Sequence, residues 1–255
     1  IDGEGLDYSG NSVSLSSDGS VVAIGAHGYD GNGTESGHVR IYQNVSGSWI
    51  KVGDGIDGEA AYDHSGYSVS LSSDGSVVAI GAYGNDGNGD RSGHVRIYQN
   101  VSGTWTQIGD DIDGEAANDK SGYSVSLSSD GSVVAIGAYQ NDDNGSNSGQ
   151  VRIYQNVSGT WTKIGDDIDG EAAGDYSGNS VSLSSDGSVV AIGAYSNDGN
   201  GDNSGHVRIY QNVSGTWTQI GDDIDGETAD DYSGYSVSLS SDGSVVAIGA
   251  TYNDG

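Results

Sequence analysis

Oxygen-bearing side chains alternate in a glycine-rich window of this chain. The pattern Asp-x-Asn-x-Asp occurs at Asp86, Asn88 and Asp90 and returns at a second place further along. Carboxylate and amide oxygens at alternating positions are typical of calcium-binding loops. The candidate calcium ligands are Asp30, Asn32, Asp86, Asn88, Asp90, Asp142, Asn144, Asp198, Asn200 and Asp202. The alternative is a solvated loop without a metal, because Gly, Asn and Asp also favour turns.

A second candidate site is the tripeptide Asn-Val-Ser, which is an acceptor sequence for N-glycosylation. It occurs four times, at Asn44, Asn100, Asn156 and Asn212. Each copy falls where a hairpin tip is expected. Asn and Ser also form turns readily, so a purely structural role is the alternative.

A catalytic centre finds no support in the residue pattern. The five histidines recur irregularly, and no Ser–His–Asp set or carboxylate pair stands out from the abundant Ser and Asp. The absence of Cys excludes a thiol nucleophile and cysteine-ligated metal sites. We therefore predict that the chain is not an enzyme.

The charge of the chain narrows its partners. The 255 residues include 8 Lys+Arg and 37 Asp+Glu, for a formal net charge of -29. Binding to nucleic acid requires clustered basic residues, so a nucleic-acid partner is excluded. The apolar runs are too short to insert into a membrane. So dense a negative charge suits a saline, extracellular setting in which salt screens self-repulsion.

The elements that carry these residues are repeated. The string SVSLSSDGSVVAIGA occurs five times, starting at Ser12, Ser68, Ser124, Ser180 and Ser236, with a constant step of 56 residues. We call the segments that begin there units 1 to 5. A second string, VRIYQNVSG, occurs in the first four units. A fixed period of this length predicts an array, a solenoid or a propeller.

Each unit is expected to form four short antiparallel strands. SVSLS alternates apolar and polar residues, VVAIGA is nearly continuously apolar, and the segment between them contains an Asp-Gly hairpin turn. HVRIYQNV and TWTQIG are two further strands. Four-stranded units repeated in tandem are typical of β-propeller blades, which predicts an all-β propeller. A solenoid of stacked hairpins is the alternative.

Residues 65–98, SGYSVSLSSDGSVVAIGAYGNDGNGDRSGHVRIY, resemble the FG-GAP repeat of the integrin alpha-subunit propeller. The likeness covers five first halves and four second halves of the units. It implies a propeller fold and an adhesive role. Ser65 stands at the Phe position of the motif, and Tyr83 stands at its Pro position. The family's calcium loop between the first two strands is replaced here by the short SSDG turn.

The chain is 25 residues short of five units, so we predict four full blades and the inner half of a fifth within residues 1–255. This segment is expected to be one propeller domain or a fragment of a longer repeat array. Because the sequence contains no Met, Ile1 is not expected to be a translation start. The open edge of the incomplete blade offers a template for strand addition and thus for self-association.

Together these features predict an extracellular or cell-surface module with a structural or adhesive role. It would contact a protein partner, or assemble with itself into an array or filament, supported by calcium. The alternative is a glycan-binding lectin in which Trp49, Trp105, Trp161 and Trp217 stack on sugars; the competing role for these rings is to fill space between blades. The repeated arginines Arg40, Arg96, Arg152 and Arg208 are expected to pair with carboxylates of their own or the next blade. The acidic stretches between units are expected to be solvated linkers.

Overall fold

The computed structural model describes residues 1, 3, 5 and 7–254, and these residues form strands and turns without a helix. No helix long and apolar enough to span a membrane is found among them. Each of the first four units forms one antiparallel sheet, and the fifth forms two strands. The predicted all-β fold with four full blades and half a fifth is confirmed.

The strands follow the units in chain order. Blade 1 contains β1 (Ser12–Leu15), β2 (Val21–Ala26), β3 (His38–Val45), β4 (Ser48–Lys51) and β5 (Ile56–Asp57). Blade 2 contains β6 (Ser68–Leu71), β7 (Val77–Ala82), β8 (His94–Val101), β9 (Thr104–Gln107) and β10 (Ile112–Asp113). Blade 3 contains β11 (Ser124–Leu127), β12 (Val133–Ala138), β13 (Gln150–Val157), β14 (Thr160–Lys163) and β15 (Ile168–Asp169). Blade 4 contains β16 (Ser180–Leu183), β17 (Val189–Ala194), β18 (His206–Val213), β19 (Thr216–Gln219) and β20 (Ile224–Asp225). Blade 5 contains β21 (Ser233–Leu239) and β22 (Val246–Ala250).

Each full blade has a fifth short strand that the sequence pattern does not reveal. In blade 1 the sheet order is β1-β2-β3-β4, and β5 pairs with β3 as well. The fourth strand pairs with the C-terminal half of β3, and β5 pairs with its first two residues, His38 and Val39. Two residues are too few for a period to be recognised. This strand matters because it brings acidic residues next to the start of the third strand.

The VVAIGA strands of blades 2, 3 and 4 are buried on both sides because each lies between two blades. Val77 and Ala79 of blade 2 pack in one core cluster with residues of blade 3. Val78 and Ile80 of the same strand pack in another cluster with residues of blade 1. Equivalent packing joins blades 3 and 4. One strand thus supplies apolar side chains to two interfaces, which explains how a chain with 33% hydrophobic residues builds a core.

Serine side chains and backbone groups bind the first strands of neighbouring blades together. The Ser70 hydroxyl accepts a hydrogen bond from the Leu127 N–H at 3.0 Å, and the same contact recurs between the other adjacent units. At the Asp-Gly turns, the Ser17 N–H donates to the Ser73 carbonyl at 2.8 Å, and this bond also repeats from unit to unit. A Cβ at Gly81 would collide with the Gly122 carbonyl of the next unit. Small residues therefore permit close approach of the blades.

The first and last units each expose a face that is buried in the interior blades. Leu15 is 59% exposed, whereas its counterpart Leu71 is 8% exposed against blade 1. At the other end, Val245 is 64% exposed, whereas its counterpart Val77 is 5% exposed against blade 3. The two exposed faces carry the same residue types that pair inside the molecule.

Candidate functional site

A continuous band of aromatic rings crosses one end of the blades. Its members follow the second strand of a unit, as Tyr83 does, or precede the first strand, as Tyr67 does, so they lie opposite the Asp-Gly turns. We call this band the tyrosine arc. Its rings are Tyr8, His27, His64, Tyr67, Tyr83, Tyr123, Tyr139, Tyr176, Tyr195, Tyr232, Tyr235 and Tyr252. Neighbouring centroids lie 4.1 to 6.0 Å apart, which is the range of aromatic pairing.

The arc bends around the axis of the blades. Burial raises the pKa of Tyr67, and the nearby phenols of Tyr83, Tyr139 and Tyr235 add to the rise, against a hydrogen bond with Tyr123. Tyr235 lies three units further along the chain than Tyr67, and its phenol still contributes to the raised pKa of Tyr67. Burial raises the pKa of Tyr195 to about 12. Tyr67 and Tyr195 are therefore neutral donors and acceptors at ordinary pH.

One cation lies within the arc. The Lys120 ammonium donates a hydrogen bond to the Tyr139 hydroxyl at 3.2 Å and lies 5.9 Å from the Tyr83 ring centre. Burial lowers the pKa of Lys120, and Arg91 adds to the fall. Nearby, His64 lies 4.0 Å from the Glu35 carboxylate. No period in the sequence predicts the arc as a whole. What marks the arc in the sequence is a Tyr, His, Asn or Lys that recurs just before or just after the first hairpin of the units.

The candidate calcium ligands lie in loops that follow the arc directly. Asp86, Asn88 and Asp90 are all exposed. The Asp86 carboxylate accepts a hydrogen bond from the Arg91 N–H at 2.8 Å, and the Asn88 amide donates to the Gly114 carbonyl at 2.9 Å. The Asp and Asn of the other three loops make the same contacts with their surroundings. Each loop is thus fixed to the stretch between units, and calcium binding by it stays a prediction.

The four Asn-Val-Ser sequences lie at the tips of the hairpins between the third and fourth strands, as predicted. Each Asn side-chain oxygen accepts a hydrogen bond from the Gly N–H three residues on, at 2.7 to 2.9 Å. Asn44 is exposed, whereas the side-chain nitrogen of Asn156 is covered by its surroundings. The turn role is therefore visible in the structure, and glycosylation stays a prediction.

The repeated tryptophans lie between blades. The Trp105, Trp161 and Trp217 rings pack on the core clusters, and each indole N–H donates to a carbonyl of the preceding unit at 2.8 to 3.0 Å. Trp49 of blade 1 is 37% exposed. This arrangement favours the space-filling role over sugar stacking.

Two of the repeated arginines, Arg96 and Arg152, join their blade to the preceding one and not to the next. Arg208 contacts the preceding blade and, as predicted, also a carboxylate of its own blade. The Arg96 guanidinium donates to the Asp57 carbonyl at 2.7 Å and lies 3.4 Å from the Glu59 carboxylate. Arg152 makes the equivalent contacts with Asp113 and Glu115. The short fifth strand of the preceding blade, which the sequence pattern does not reveal, places these acceptors next to the arginine.

The acidic stretches between units are ordered parts of the structure and not simply solvated linkers. Asp119 is 3% exposed, and its carboxylate accepts hydrogen bonds from the Ala116 N–H and the Asn141 amide. Asp111 accepts a hydrogen bond from the Gln107 amide at 2.6 Å. These stretches thus combine backbone capping with side-chain contacts to the next blade.

Among the described residues, two equivalent groups of His, Glu and Asp could hold a metal ion. They are Glu59, His94 and Asp111, and Glu171, His206 and Asp223. We call them the histidine–acid clusters. Burial lowers the pKa of His94 to about 4, and the Arg96 charge adds to the fall against Asp111. Burial likewise lowers the pKa of His206. Sequence reasoning missed these clusters because the three residues lie far apart along the chain.

The described sheets, stacked around one axis, define a β-propeller built from FG-GAP-like blades. The sequence matches the FG-GAP repeat family at residues 1–42, 57–98, 112–154 and 168–210. The chain belongs to the FG-GAP repeat family, and the resemblance predicted from its residues is confirmed. No curated protein matches the sequence.

Solved propellers share the fold at low sequence identity. The periplasmic gluconolactonase of Pseudomonas aeruginosa has 17% identity and a TM-score of 0.62, and the match covers 93% of this chain and 64% of that one. The hydrazine synthase of Kuenenia stuttgartiensis has 15% identity and a TM-score of 0.59, covering 94% and 61%. A candidate 6-phosphogluconolactonase of Bacteroides uniformis has 13% identity and a TM-score of 0.58, covering 93% and 57%. The chain thus spans about three fifths of the length of the structures that it matches.

These structures correct the prediction that the chain is not an enzyme. That exclusion is wrong, because propellers of the same fold include a gluconolactonase and a candidate 6-phosphogluconolactonase. A lack of recurring catalytic residues therefore does not exclude catalysis in this fold. Identities of 13 to 17% show the fold and do not establish an activity. Family membership supports a protein-interaction module in general, and FG-GAP repeats are typical of extracellular and periplasmic proteins.

Proposed function

We propose that this chain is an interaction module that acts outside the cytoplasm and binds a protein partner through the tyrosine arc. The observation that carries the proposal is the continuity of twelve half-buried or exposed rings from Tyr8 to Tyr252 at one end of the blades. Tyrosine is enriched at protein interfaces because it combines a large apolar ring with a polar hydroxyl. Packing of the rings on one another reduces the entropy that binding must remove.

The charge around the arc favours a basic partner. The acidic loops that begin at Asp30, Asp86, Asp142 and Asp198 follow the arc closely in sequence, and the chain has a net charge of -29. Negative potential accelerates encounter with a basic surface. Tyrosine faces can then accept Arg or Lys through cation–π contacts, as they accept Lys120 within the chain. We therefore expect the partner surface to be rich in Arg and Lys.

The repeat provides variants for a test. The positions of Tyr67, Tyr123 and Tyr235 are occupied by Asn11 and Asn179 in the other two units, so Tyr→Asn is a substitution that the fold already accepts. We expect the triple variant Y67N/Y123N/Y235N to bind the partner at least ~10-fold more weakly. Tyr62→Asn is the control, because Tyr62 is exposed and lies outside the arc.

The chain is used to capture its partner from the extracellular fraction. The affinity of the wild type and of each variant for the purified partner is then measured at two ionic strengths. Equal affinity of the triple variant and the wild type would refute the arc as the binding surface. A glycan array run in parallel separates the lectin alternative. Arc-dependent binding to glycans and not to protein would replace the proposal with that alternative.

A second candidate is association between copies of the chain, in keeping with an array or filament. The exposed faces at Leu15 and Val245 support it, because their counterparts Leu71 and Val77 bury the same residue types between blades. Leu15→Ser is expected to weaken association, with Ile50→Ser on an outer strand as the exposed apolar control. Light scattering over a range of concentrations measures the mass. A strictly monomeric wild type at high concentration would rule out this candidate.

Calcium and N-glycans are proposed additions to the loops. The Asp and Asn oxygens at residues 86–90 and their counterparts support calcium, and the exposed tip at Asn44 supports a glycan. Chelation is expected to lower the melting temperature, and an unchanged melt would contradict structural calcium. Glycosidase treatment of protein from its native source is expected to reduce the mass, and a constant mass would contradict glycosylation.

A further inference from the structure

The two histidine–acid clusters each connect two neighbouring blades. His206 is the first residue of β18, and Asp223 stands just before β20, which pairs with the start of β18. Glu171 comes from the stretch that follows β15 of the preceding blade. The first cluster has the same arrangement two blades earlier, with His94 at the start of β8, Asp111 just before β10 and Glu59 after β5. The short fifth strand of each blade thus brings residues from two units to one point.

The donor atoms of each cluster have the spacing of a metal coordination sphere. All three lie within 4.8 Å of one another. The His206 Nδ1 lies 3.8 Å from Asp223 Oδ2 and 4.0 Å from Glu171 Oε2. Ligands of a tetrahedral zinc ion, each about 2.1 Å from the metal, lie roughly 3.4 Å apart. Small side-chain movements would therefore close the shell.

The histidine of the second cluster has a buried nitrogen without a hydrogen-bond partner. The His206 side chain is 3% exposed, and its Nδ1 donates to and accepts from no described group. The same nitrogen faces three carboxylates, because Asp225 Oδ1 also lies 4.0 Å away. A buried polar atom without a partner is unfavourable unless a ligand satisfies it. A divalent cation between this nitrogen and the carboxylates would do so.

The acids of the second cluster also contact an arginine, and the net charge that remains suits a divalent ion. Arg208 pairs with Glu171 and binds Asp223 at 3.0 Å. Three carboxylates and one guanidinium carry a formal charge of about -2 together. Arg208 therefore orients two of the ligands without neutralising the cluster.

Unit 3 shows what happens when the histidine is absent. Gln150 occupies its position, and the Gln150 amide donates to Asp143 at 3.1 Å and to Asp169 at 3.3 Å. In the same unit Lys163 replaces the glutamine found at 107 and 219, and its ammonium binds Asp167 at 2.7 Å. A lysine and an amide thus supply positive charge and donors in the unit that lacks the histidine. Unit 1 keeps His38 but has Gly3 and Gly55 at the two acid positions.

We propose that the two histidine–acid clusters are zinc sites that link blade 2 to blade 1 and blade 4 to blade 3. Each site consists of one imidazole nitrogen, a carboxylate of the same unit and a carboxylate of the preceding unit, with water completing the shell. A mixed nitrogen and carboxylate set selects zinc or a similar transition ion, whereas calcium prefers oxygen ligands alone. These sites are separate from the Asp-x-Asn-x-Asp loops.

The experiment is zinc titration of the purified chain by calorimetry, at physiological salt with calcium in excess to occupy oxygen-only sites. The wild type is expected to bind two zinc ions per chain and to melt at a higher temperature with zinc. H94Q/H206Q copies the residue of unit 3 into units 2 and 4, so its fold has a precedent in the chain; it is expected to bind none. His38→Gln is the matched control and should leave two. Q150H/K163Q rebuilds the full residue set in unit 3 and should raise the number to three.

The stoichiometry decides the outcome. A wild type that binds no zinc, or a double variant H94Q/H206Q that still binds two ions, overturns the proposal. Circular dichroism without zinc verifies that each variant is folded. If Q150H/K163Q binds two ions and not three, the residue set alone does not define the site, and the proposal in this form fails.

Discussion

The two ends of the first hairpins differ in how strictly the repeat is kept. At the turn end, Ser-Ser-Asp-Gly-Ser is identical in all five units, and each of the first four copies bonds to its counterpart in the next unit. At the opposite end, the positions of the tyrosine arc hold Tyr, His, Asn, Lys or Thr. A turn residue that bonds to its counterparts in the neighbouring units must fit them at every interface, so a substitution there would be felt on both sides. Aromatic packing on a half-exposed surface accepts several residue types, so this end can acquire specific contacts.

The largest effect is expected from breaking an interior blade interface. Ile136→Ala leaves a cavity between blades 2 and 3, where Ile136 is 1% exposed, and should lower the free energy of unfolding by about 2–5 kcal/mol. Ile50→Ala, at an exposed position, should change it by less than about 0.5 kcal/mol. Urea denaturation measures both. Equal effects of the two substitutions would show that the interfaces do not carry the stability.

Removal of one serine contact tests the turn-end side of the comparison at a smaller scale. Ser126→Ala deprives the Leu183 N–H of its acceptor and should cost about 1–3 kcal/mol. Ser238→Ala changes the same position in the last unit, where the side chain is exposed, and should cost much less. Urea denaturation again gives both values, and a similar cost at the two positions would contradict a role of the contact between blades.

The tyrosine arc is expected to respond to alkaline pH. Burial, with Tyr176 and Tyr123 adding to it, raises the pKa of Tyr195 to about 12. A raised pKa in the folded state contributes stability below pH ~10 that is lost as the pH rises through about 12. Y195T carries the residue that unit 5 has at this position. The free energies of unfolding of the wild type and Y195T should therefore differ by a pH-dependent part, which is below about 1 kcal/mol and disappears toward pH 12. Phenolate absorbance and thermal melts give the comparison, and a constant difference across this range would contradict it.

The smallest effect is expected at the exposed turns under acid. Hydrogen bonds from the Ser240 hydroxyl, and from the hydroxyl and N–H of Ser244, lower the pKa of Asp242 to about 2. A lowered pKa in the folded state contributes stability above pH 3.8 that is lost as the pH falls through about 2. The melting temperatures of the wild type and D242N should thus differ most above pH 4 and converge near pH 2. A difference that grows on acidification would refute this assignment.

Period and turn chemistry sufficed to predict the blades, because SVSLS, the Asp-Gly turn and VVAIGA act through local alternation and tight turns. The two-residue strands such as Ile112–Asp113 were missed, since so short a segment pairs only through its tertiary neighbours. For the same reason the His94 cluster was invisible: Glu59, His94 and Asp111 meet only once that strand lies beside β8. The sequence did predict the hairpin tips at Asn44 and its three counterparts, whose geometry is local.

The serine contacts between units have a consequence for the genetics of such a chain. Each bond at the turn end joins a residue to the one 56 positions further on and reaches no second neighbour, as the Ser17, Ser73 and Ser129 bonds show. Excision or insertion of one whole unit by recombination would place the same partners next to each other again. Variants that differ by complete units are therefore expected to fold with the same local contacts.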